Sequence, residues 1–342
     1  MTLPLGKLPP PLLAKILAQA PISDPRVIVG PAVGVDCAVV ELDQTCLVFK
    51  SDPITFTSDR IGWYTVQINV NDIATTGALP RWMLVTALLP EGETTPEMPE
   101  TISEQLYDAC EKMDISVIGG HTEITHGLNR PILVGTLIGE VARENLVTPQ
   151  GAAVGDRILL TGGVPIEGTA ILAREFADEL KGTLSEDELR EARDYLTEPG
   201  ISVLQAAQTA TGAGGVTAMH DPTEGGLAGA LWELAEACGH SLEIDPDNVI
   251  VSPVSEKVCA YFDIDPLATI ASGALLLTVK PESLDPVLAA MNAKRIPCAQ
   301  IGTVEKGPVQ VRQTTPEGVK LLPRPERDEI ARVYENPPSS QP

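Results

Sequence analysis

Residues 66–80 read VQINVNDIATTGALP, and their two periodicities place a polar and an apolar side on one predicted helix. Trp63, Val66, Val70, Ile73 and Gly77 recur at three-and-four spacing and are expected on the buried side. Thr65, Asn69, Asp72 and Thr76 follow the same rhythm on the other side. A merely solvated helix usually fills that side with Lys and Glu, so a lone carboxylate among an amide and hydroxyls suggests a ligand-facing surface. The plain alternative is a surface helix whose Asp72 lacks a sequence-near partner. Four more clusters of small and acidic residues along the chain weigh against that alternative.

The chain has 342 residues, 43% hydrophobic and 21% charged, enough for two globular domains. Its net charge of −23 argues against nucleic acid or an anionic membrane as the main partner. A phosphate ligand would then need local neutralisation by a divalent metal, helix N-termini or a few placed cations. No apolar run reaches the length of a membrane span and no secretory signal is recognisable, so a cytoplasmic protein is expected. Cys37, Cys46, Cys110, Cys238, Cys259 and Cys298 include no CxxC pair, and His121, His126, His220 and His240 are scattered. With this spacing neither a zinc nor a disulfide framework is expected, and the cysteines read as buried thiols.

From the start, a short arm with Gly6-Lys7 precedes a helix over Leu12 to Ala20. Cys37–Leu42 and Cys46–Lys50 read as a hairpin closed by Asp43-Gln44-Thr45, with strand pairing expected to stop at Pro53. A strand over Trp82–Leu89, a helix over Glu100–Lys112, a strand over Ile115–Ile118 ending at Gly119-Gly120, and a strand over Pro131–Val141 complete an alternating first half. Residues 142–157 read as a linker. We expect domains over residues 1–148 and 149–312, with 313–342 as an extension whose tail, Asn336–Pro342, is disordered. In the second half, helices are expected near Ile166–Leu180, Ser185–Leu196, Ile201–Thr209 and Leu227–Ala237, and strands around Ala274–Val279 and Gln300–Val304.

Four clusters could carry chemistry. Asp36 lies in GVDCA and Asp52 in KSDPIT, each explicable as a turn or strand-end residue. In Gly119-Gly120-His121-Thr122-Glu123 a diglycine would let backbone approach a ligand, although a tight turn explains the glycines equally well. In His220-Asp221-Pro222-Thr223-Glu224-Gly225-Gly226, Thr223 or Asp221 could cap the following helix, or the Gly225-Gly226 start could offer N–H groups to an anion. Carboxylates on several segments, none paired with a sequence-near Lys or Arg, would repel in a shared cleft unless magnesium carrying polyphosphate neutralised them. The chain nevertheless has no GxxxxGK[ST] loop, GxGxxG fingerprint or kinase catalytic loop, so any nucleotide site is of another design.

In this order, the GxDxA start, the SD pair, NDxAxxGAxP, the GGHT segment, the Gly155-Asp156 opening of the second half and DPTEGGL resemble the aminoimidazole-ribonucleotide-synthetase-like superfamily. That group includes the purine enzyme, thiamine-monophosphate kinase, selenophosphate synthetase and the hydrogenase-maturation protein HypE. The resemblance covers nearly the whole chain, and HDPTEGGL is most similar to the corresponding HypE element. It implies a PurM-like two-domain fold: an N-terminal α/β domain that pairs with a second copy into a dimeric β-barrel, and a C-terminal α+β domain. It also implies ATP and Mg2+ in the cleft between the domains. Asp36, Asp52 and Asp72 match metal and phosphate ligands, with Asn71 beside the last. Gly119, Gly120, Thr122 and Glu123 match the turn that faces nucleotide, and Gly225 and Gly226 are expected to bind an anion.

Three departures qualify the resemblance. His121 stands where relatives carry Asp, Val35 replaces a second Asp, and the sequence ends Asn336-Pro337-Pro338-Ser339-Ser340-Gln341-Pro342 instead of in the cysteine that HypE uses. A HypE reaction on the chain's own tail is therefore not expected. The leading expectation is an ATP- and Mg2+-dependent enzyme that phosphorylates an oxygen of a small substrate, with His121 or Glu123 in proton transfer; Lys7 could close over phosphate, but a solvent-exposed lysine is the simpler reading. The alternatives are a non-catalytic dimeric nucleotide-binding scaffold that docks a maturation partner, and a true purine synthetase, against which DPTEGG argues.

Overall fold

The computed structural model describes Leu3, residues 8–55 and residues 59–337, and Lys7 and the last five positions lie outside them. The chain divides into two compact units, Met1–Leu146 and Val147–Pro342.

The first unit contains α1 (Pro10–Leu17), β1 (Val27–Val29), β2 (Ala38–Leu42), β3 (Thr45–Ile54), α2 (Ile61–Thr75), β4 (Leu79–Pro90), α3 (Glu97–Lys112), β5 (Ser116–Thr125) and β6 (Ile132–Ala142). The strands form one mixed sheet in the order β1-β2-β3-β6-β4-β5. The β2–β3 hairpin turns through Asp43-Gln44, with Leu42 opposite Thr45 and Asp43 in the left-handed region at φ 57°.

Pro53 does not end the strand as the sequence suggested. It pairs with Val134 on β6, and Asp52 pairs with Gly135. The last β2 partner of β3 is Ala38, opposite Phe49, so one edge of β3 is already open where proline removes a ladder donor.

Helix α2 departs further from expectation, because both of its sides are buried. Val66, Val70 and Ile73 are wholly inaccessible, but so are Thr65, Asn69 and Asn71, whereas Trp63 and Gly77 are only half-buried. Two glycines four apart on β6 explain how a helix lies so close to a sheet. A Cβ at Gly135 would come within 2.6 Å of Asn69 Nδ2, and one at Gly139 within 2.5 Å of the Ile73 side chain. On the α3 side, a Cβ at Gly62 would meet the Ile102 carbonyl at 2.3 Å. Bare backbone on β6, and on α2 itself where it meets α3, thus permits the close packing that buries the polar side of α2.

The second unit begins with β7 (Arg157–Thr161) and α4 (Ile166–Glu175), followed by α5 (Glu186–Asp194), α6 (Leu204–Ala213) and β8 (Val216–His220). It continues through α7 (Gly226–Cys238), β9 (Ser241–Ile244), α8 (Pro253–Phe262), β10 (Leu275–Val279), α9 (Leu284–Ala293), β11 (Cys298–Glu305), β12 (Gln310–Thr315), β13 (Gly318–Leu321) and α10 (Ile330–Glu335). Its seven-stranded sheet has the order β13-β12-β9-β11-β7-β10-β8. α7 packs into the main core with Leu227, Leu231 and Leu234 beside Ile158, Leu160 and Leu276. A second core joins α4, α5, α8 and Val333 of α10.

The helix expected to run to Leu180 stops at Glu175. α5 starts with a capping box in which Ser185 and Glu188 satisfy each other's backbone N–H groups. Asp156 of the Gly-Asp opening is structural: its carboxylate accepts from Ala153 N and from Thr217 Oγ1, fastening the loop to β8. The six cysteines are free, and no helix among the described residues is long and apolar enough to cross a membrane.

Candidate functional site

Three of the sequence-selected carboxylates meet in the first unit, around a residue the sequence reading passed over. Lys50 Nζ lies 3.2 Å from Asp52 Oδ2, 3.2 Å from Asp72 Oδ2 and 3.9 Å from Asp36 Oδ1. Asp36 is delivered by the segment ahead of β2, Asp52 by β3 and Asp72 by the last turn of α2. Lys50 and Asp52 are two residues apart on one strand, so their side chains share a face. The expectation that these carboxylates lack a sequence-near cation is therefore corrected.

The Lys50 side chain is 10% exposed and that of Asp72 only 6%. Burial pulls the Lys50 pKa down, but Asp72, Asp36 and Asp52 outweigh it and hold the ammonium above the ordinary lysine value.

Asn69 joins helix to strand at this point. Its Oδ1 accepts the Asp52 N–H at 3.2 Å and its Nδ2 donates to the Thr65 carbonyl at 2.8 Å. The Cys37 thiol donates to the Asp72 carbonyl at 3.4 Å, tying the segment after Asp36 to the same helix. Asn71 is wholly buried on α2 beside Asp72. The signal that could have exposed this construction is the pair Gly135 and Gly139: two glycines on one face of a strand mark a close approach.

The Gly119–Glu123 segment is part of β5 and not a turn. The strand runs through the diglycine, with Ile118 as an extra residue between the pairs Met83–Val117 and Leu84–Gly119. Gly120 has φ 149°, and a Cβ there would fall 2.0 Å from the Val85 carbonyl oxygen, so approach of β4 demands glycine. Gly120, Val85, Gly135 and Asp52 lie in one row across the sheet. Three strand spacings separate the two ends of that row, roughly 14 Å in a flat sheet. His121 Nε2 and Glu123 Oε2 are 3.2 Å apart, both exposed, and Thr122 is exposed between them.

In the second unit, the Gly225 N–H at the start of α7 is given to Asp328 Oδ2 at 2.7 Å. The cap residue of the helix is Gly225, in the left-handed region at φ 83°, in place of the Thr223 or Asp221 that the sequence suggested. Asp328 also accepts the Ile330 N–H at 2.9 Å. The Gly226 N–H goes to the Thr223 carbonyl, and a Cβ at Gly226 would meet the Thr269 carbonyl at 2.5 Å. The chain's own carboxylate thus sits where an anion was expected.

Burial pushes Asp328 up to about 6 against the pull of these N–H groups, and burial pushes Glu167 up to about 7, with nearby Glu224 and Asp328 adding repulsion. His220 Nε2 lies 2.7 Å from Glu233 Oε2.

The family description "AIR synthase related protein, N-terminal domain" matches residues 34–141, and its C-terminal counterpart matches residues 153–314. Carbamoyl dehydratase HypE of Bradyrhizobium diazoefficiens is 29% identical over 243 residues, covering 70% of this chain and 67% of that protein. Among solved structures, the hydrogenase maturation protein HypE in complex with ATP superposes with TM-score 0.69 at 22% identity, over 92% of this chain and 90% of the other. A chain of a HypE–HypF complex superposes with TM-score 0.70 at 21% identity, over 84% and 93%.

Proposed function

The chain belongs to the AIR-synthase-related family, in its HypE-like branch, and from that premise we propose that it is an ATP- and Mg2+-dependent enzyme that activates an oxygen of a small substrate by phosphoryl transfer. The observation that carries this reading is the convergence of Asp36, Asp52 and Asp72 from three segments on one point. Three carboxylates from three segments come within 3.9 Å of one point, and carboxylate oxygens are the donors magnesium prefers. The donor set fits the metal. Asp36, Asp52 and Asp72 would hold magnesium, which when bound would supply positive charge to offset the charge that develops on the transferred group.

The chain's own residues would do the rest. Asp36, Asp52 and Asp72 fix the cation's place, and Asn69 orients Asp52 by binding its backbone. Lys50 offers a positive donor to phosphate. His121 or Glu123 would move the proton of an accepting oxygen held at β5, three strand spacings from Asp52, with Gly119, Gly120 and Thr122 presenting backbone and hydroxyl to the nucleotide. In the second unit, Gly225 and Gly226 would bind an anion only when Asp328 leaves.

We also read the protein as cytoplasmic and as a homodimer paired through its N-terminal sheet. Two supports for the dimer are the family fold and the exposed apolar side chains of Val117, Ile118 and Ile124 on the edge strand β5. A maturation protein is the proposed further partner, by analogy with the HypE–HypF complex. The purine-synthetase alternative is not favoured, because the relatives reported are hydrogenase-maturation proteins.

Magnesium-dependent ATP hydrolysis by the purified chain, measured beside Asp72→Asn, tests the reading. Turnover that the folded variant loses supports the enzyme; binding without turnover in the wild type would leave a nucleotide-binding scaffold.

A further inference from the structure

Between Leu322 and Ile330 the chain forms neither helix nor strand, and Asp328 is its only buried residue. This strap lies on α7 and on the segment between α8 and β10. Trp232 Nε1 donates to the Leu322 carbonyl at 3.2 Å, and the Glu329 N–H donates to the Ala268 carbonyl at 3.2 Å. The same segment receives the starts of two helices: the Ile270 carbonyl accepts the Gly168 N–H of α4 at 3.0 Å, and the Leu267 and Thr269 carbonyls lie where a Cβ on Gly226 of α7 would fall. Glu167 of α4, Glu224 ahead of α7 and Asp328 of the strap are thereby brought within reach of one another, and each interaction among them is repulsive.

Glu167 is 5% exposed, and its Oε2 has no hydrogen-bond partner among the described residues. Ser272 favours its charged form, but burial prevails and the two carboxylates add to it. The strap's other charges are engaged elsewhere: Arg324 pairs with Glu236 of α7, Arg327 with Glu335 and Glu329 with Arg332. A helix cap needs none of this, since Asn or Ser accepts an N–H without a charge to bury beside two other carboxyls. Protonated, the carboxyls can stay side by side; ionised, they repel where water screens little. The element with the fewest buried side chains yields first, and that is the strap.

We propose that residues 323–330 are a proton-gated latch: with the carboxyl cluster protonated the strap closes over the start of α7, and ionisation of the cluster opens it and bares the Gly225 N–H. The latch adds to the reading of Gly225 and Gly226 as an anion site the condition under which Asp328 leaves, and it stands or falls without any anion.

Hydrogen exchange of the full chain at pH 5 and pH 8, resolved to single amides by mass spectrometry and corrected for the intrinsic effect of pH, tests it. In the wild type the Gly225 and Ile330 amides should lose at least about tenfold in protection at pH 8, and should then exchange at least about tenfold faster than amides of β7 and β10. Glu167→Gln should show a markedly smaller loss. Asp328→Asn, which removes the other ionising partner, should do so too, with circular dichroism showing that each variant is folded. A wild-type loss below about tenfold overturns the latch. So does exchange at pH 8 no faster than that of β7 and β10, which is unfolding of the whole unit, or a loss of wild-type size in either folded variant.

Discussion

Two acidic clusters in this molecule solve the same electrostatic problem in different ways. In the N-terminal unit, Asp36, Asp52 and Asp72 are held by an ammonium, whereas in the C-terminal unit Asp328 is held by backbone N–H groups, that of Gly225 at the start of α7 and that of Ile330 at the start of α10, with Glu167 buried nearby. The first solution keeps charge available at a cluster that Asp36 and Asp52 leave open to water. The second pushes carboxyls toward neutrality and closes a helix end with the chain's own side chain. Carboxylate count alone therefore says little about function: what neutralises the carboxylates decides whether a visiting cation has anything to do.

The largest expected effect that separates the clusters is their pH dependence. Glu167 and Asp328 both have folded pKa values above their ordinary ones, about 7 against 4.5 and about 6 against 3.8. Their contribution to stability is therefore complete below about pH 4 and is lost as pH rises through 6 and then 7, on the order of 3 kcal/mol for Glu167 alone. Lys50 is raised too, so its contribution is complete below the ordinary lysine value and does not change between pH 5 and 9. Urea unfolding followed by circular dichroism should show Glu167→Gln matching the wild type at pH 5 and exceeding it at pH 8. A variant that gains nothing at pH 8 would mean that Glu167 carries no such burden.

A smaller effect should follow from removing the helix cap. Asp328→Ala takes the acceptor from the N–H groups of Gly225 and Ile330 and should cost about 1–2 kcal/mol, while Asp328→Asn keeps one acceptor oxygen and should cost less. Urea midpoints at pH 6 would rank the two, and equal losses would mean that the carboxylate charge, not the bond, matters. The smallest effect belongs to His121→Ala. The His121–Glu123 pair is exposed, so thermal stability should change by no more than about 0.5 kcal/mol. Lost ATP turnover with an unchanged melting temperature would give His121 a chemical role and sharpen its contrast with Asp328.

Much of the fold was legible where local periodicity governs. The β2–β3 hairpin, β4, α3 and α7 lie close to their expected places because alternation and helical spacing were strong. Strand β5 escaped because two glycines usually end a strand, yet here they accommodate a bulge and the close approach of β4. The strands and helices from β8 onward that were not anticipated are short, and pairings such as β9 with β11 or β12 join residues far apart in sequence.

At the site, Asp36, Asp52 and Asp72 were readable as candidates. The Lys50 contact was readable as well, since period-two alternation puts Lys50 and Asp52 on one face. Asp328 was not, because it lies 103 residues beyond the glycine it caps and no spacing rule spans that separation. The polar side of α2 stood out in the sequence, but its burial depends on Gly135 and Gly139 of a strand more than sixty residues on.

The measurement that bears most directly on the central claim is calorimetric titration of the full chain with a non-hydrolysable ATP analogue, with and without Mg2+, beside Asp72→Asn. Binding that is strengthened by magnesium and abolished in the folded variant is the predicted result. Absence of binding at millimolar nucleotide, or identical binding by Asp72→Asn, would contradict the assignment of the Lys50-centred cluster as a nucleotide and metal site.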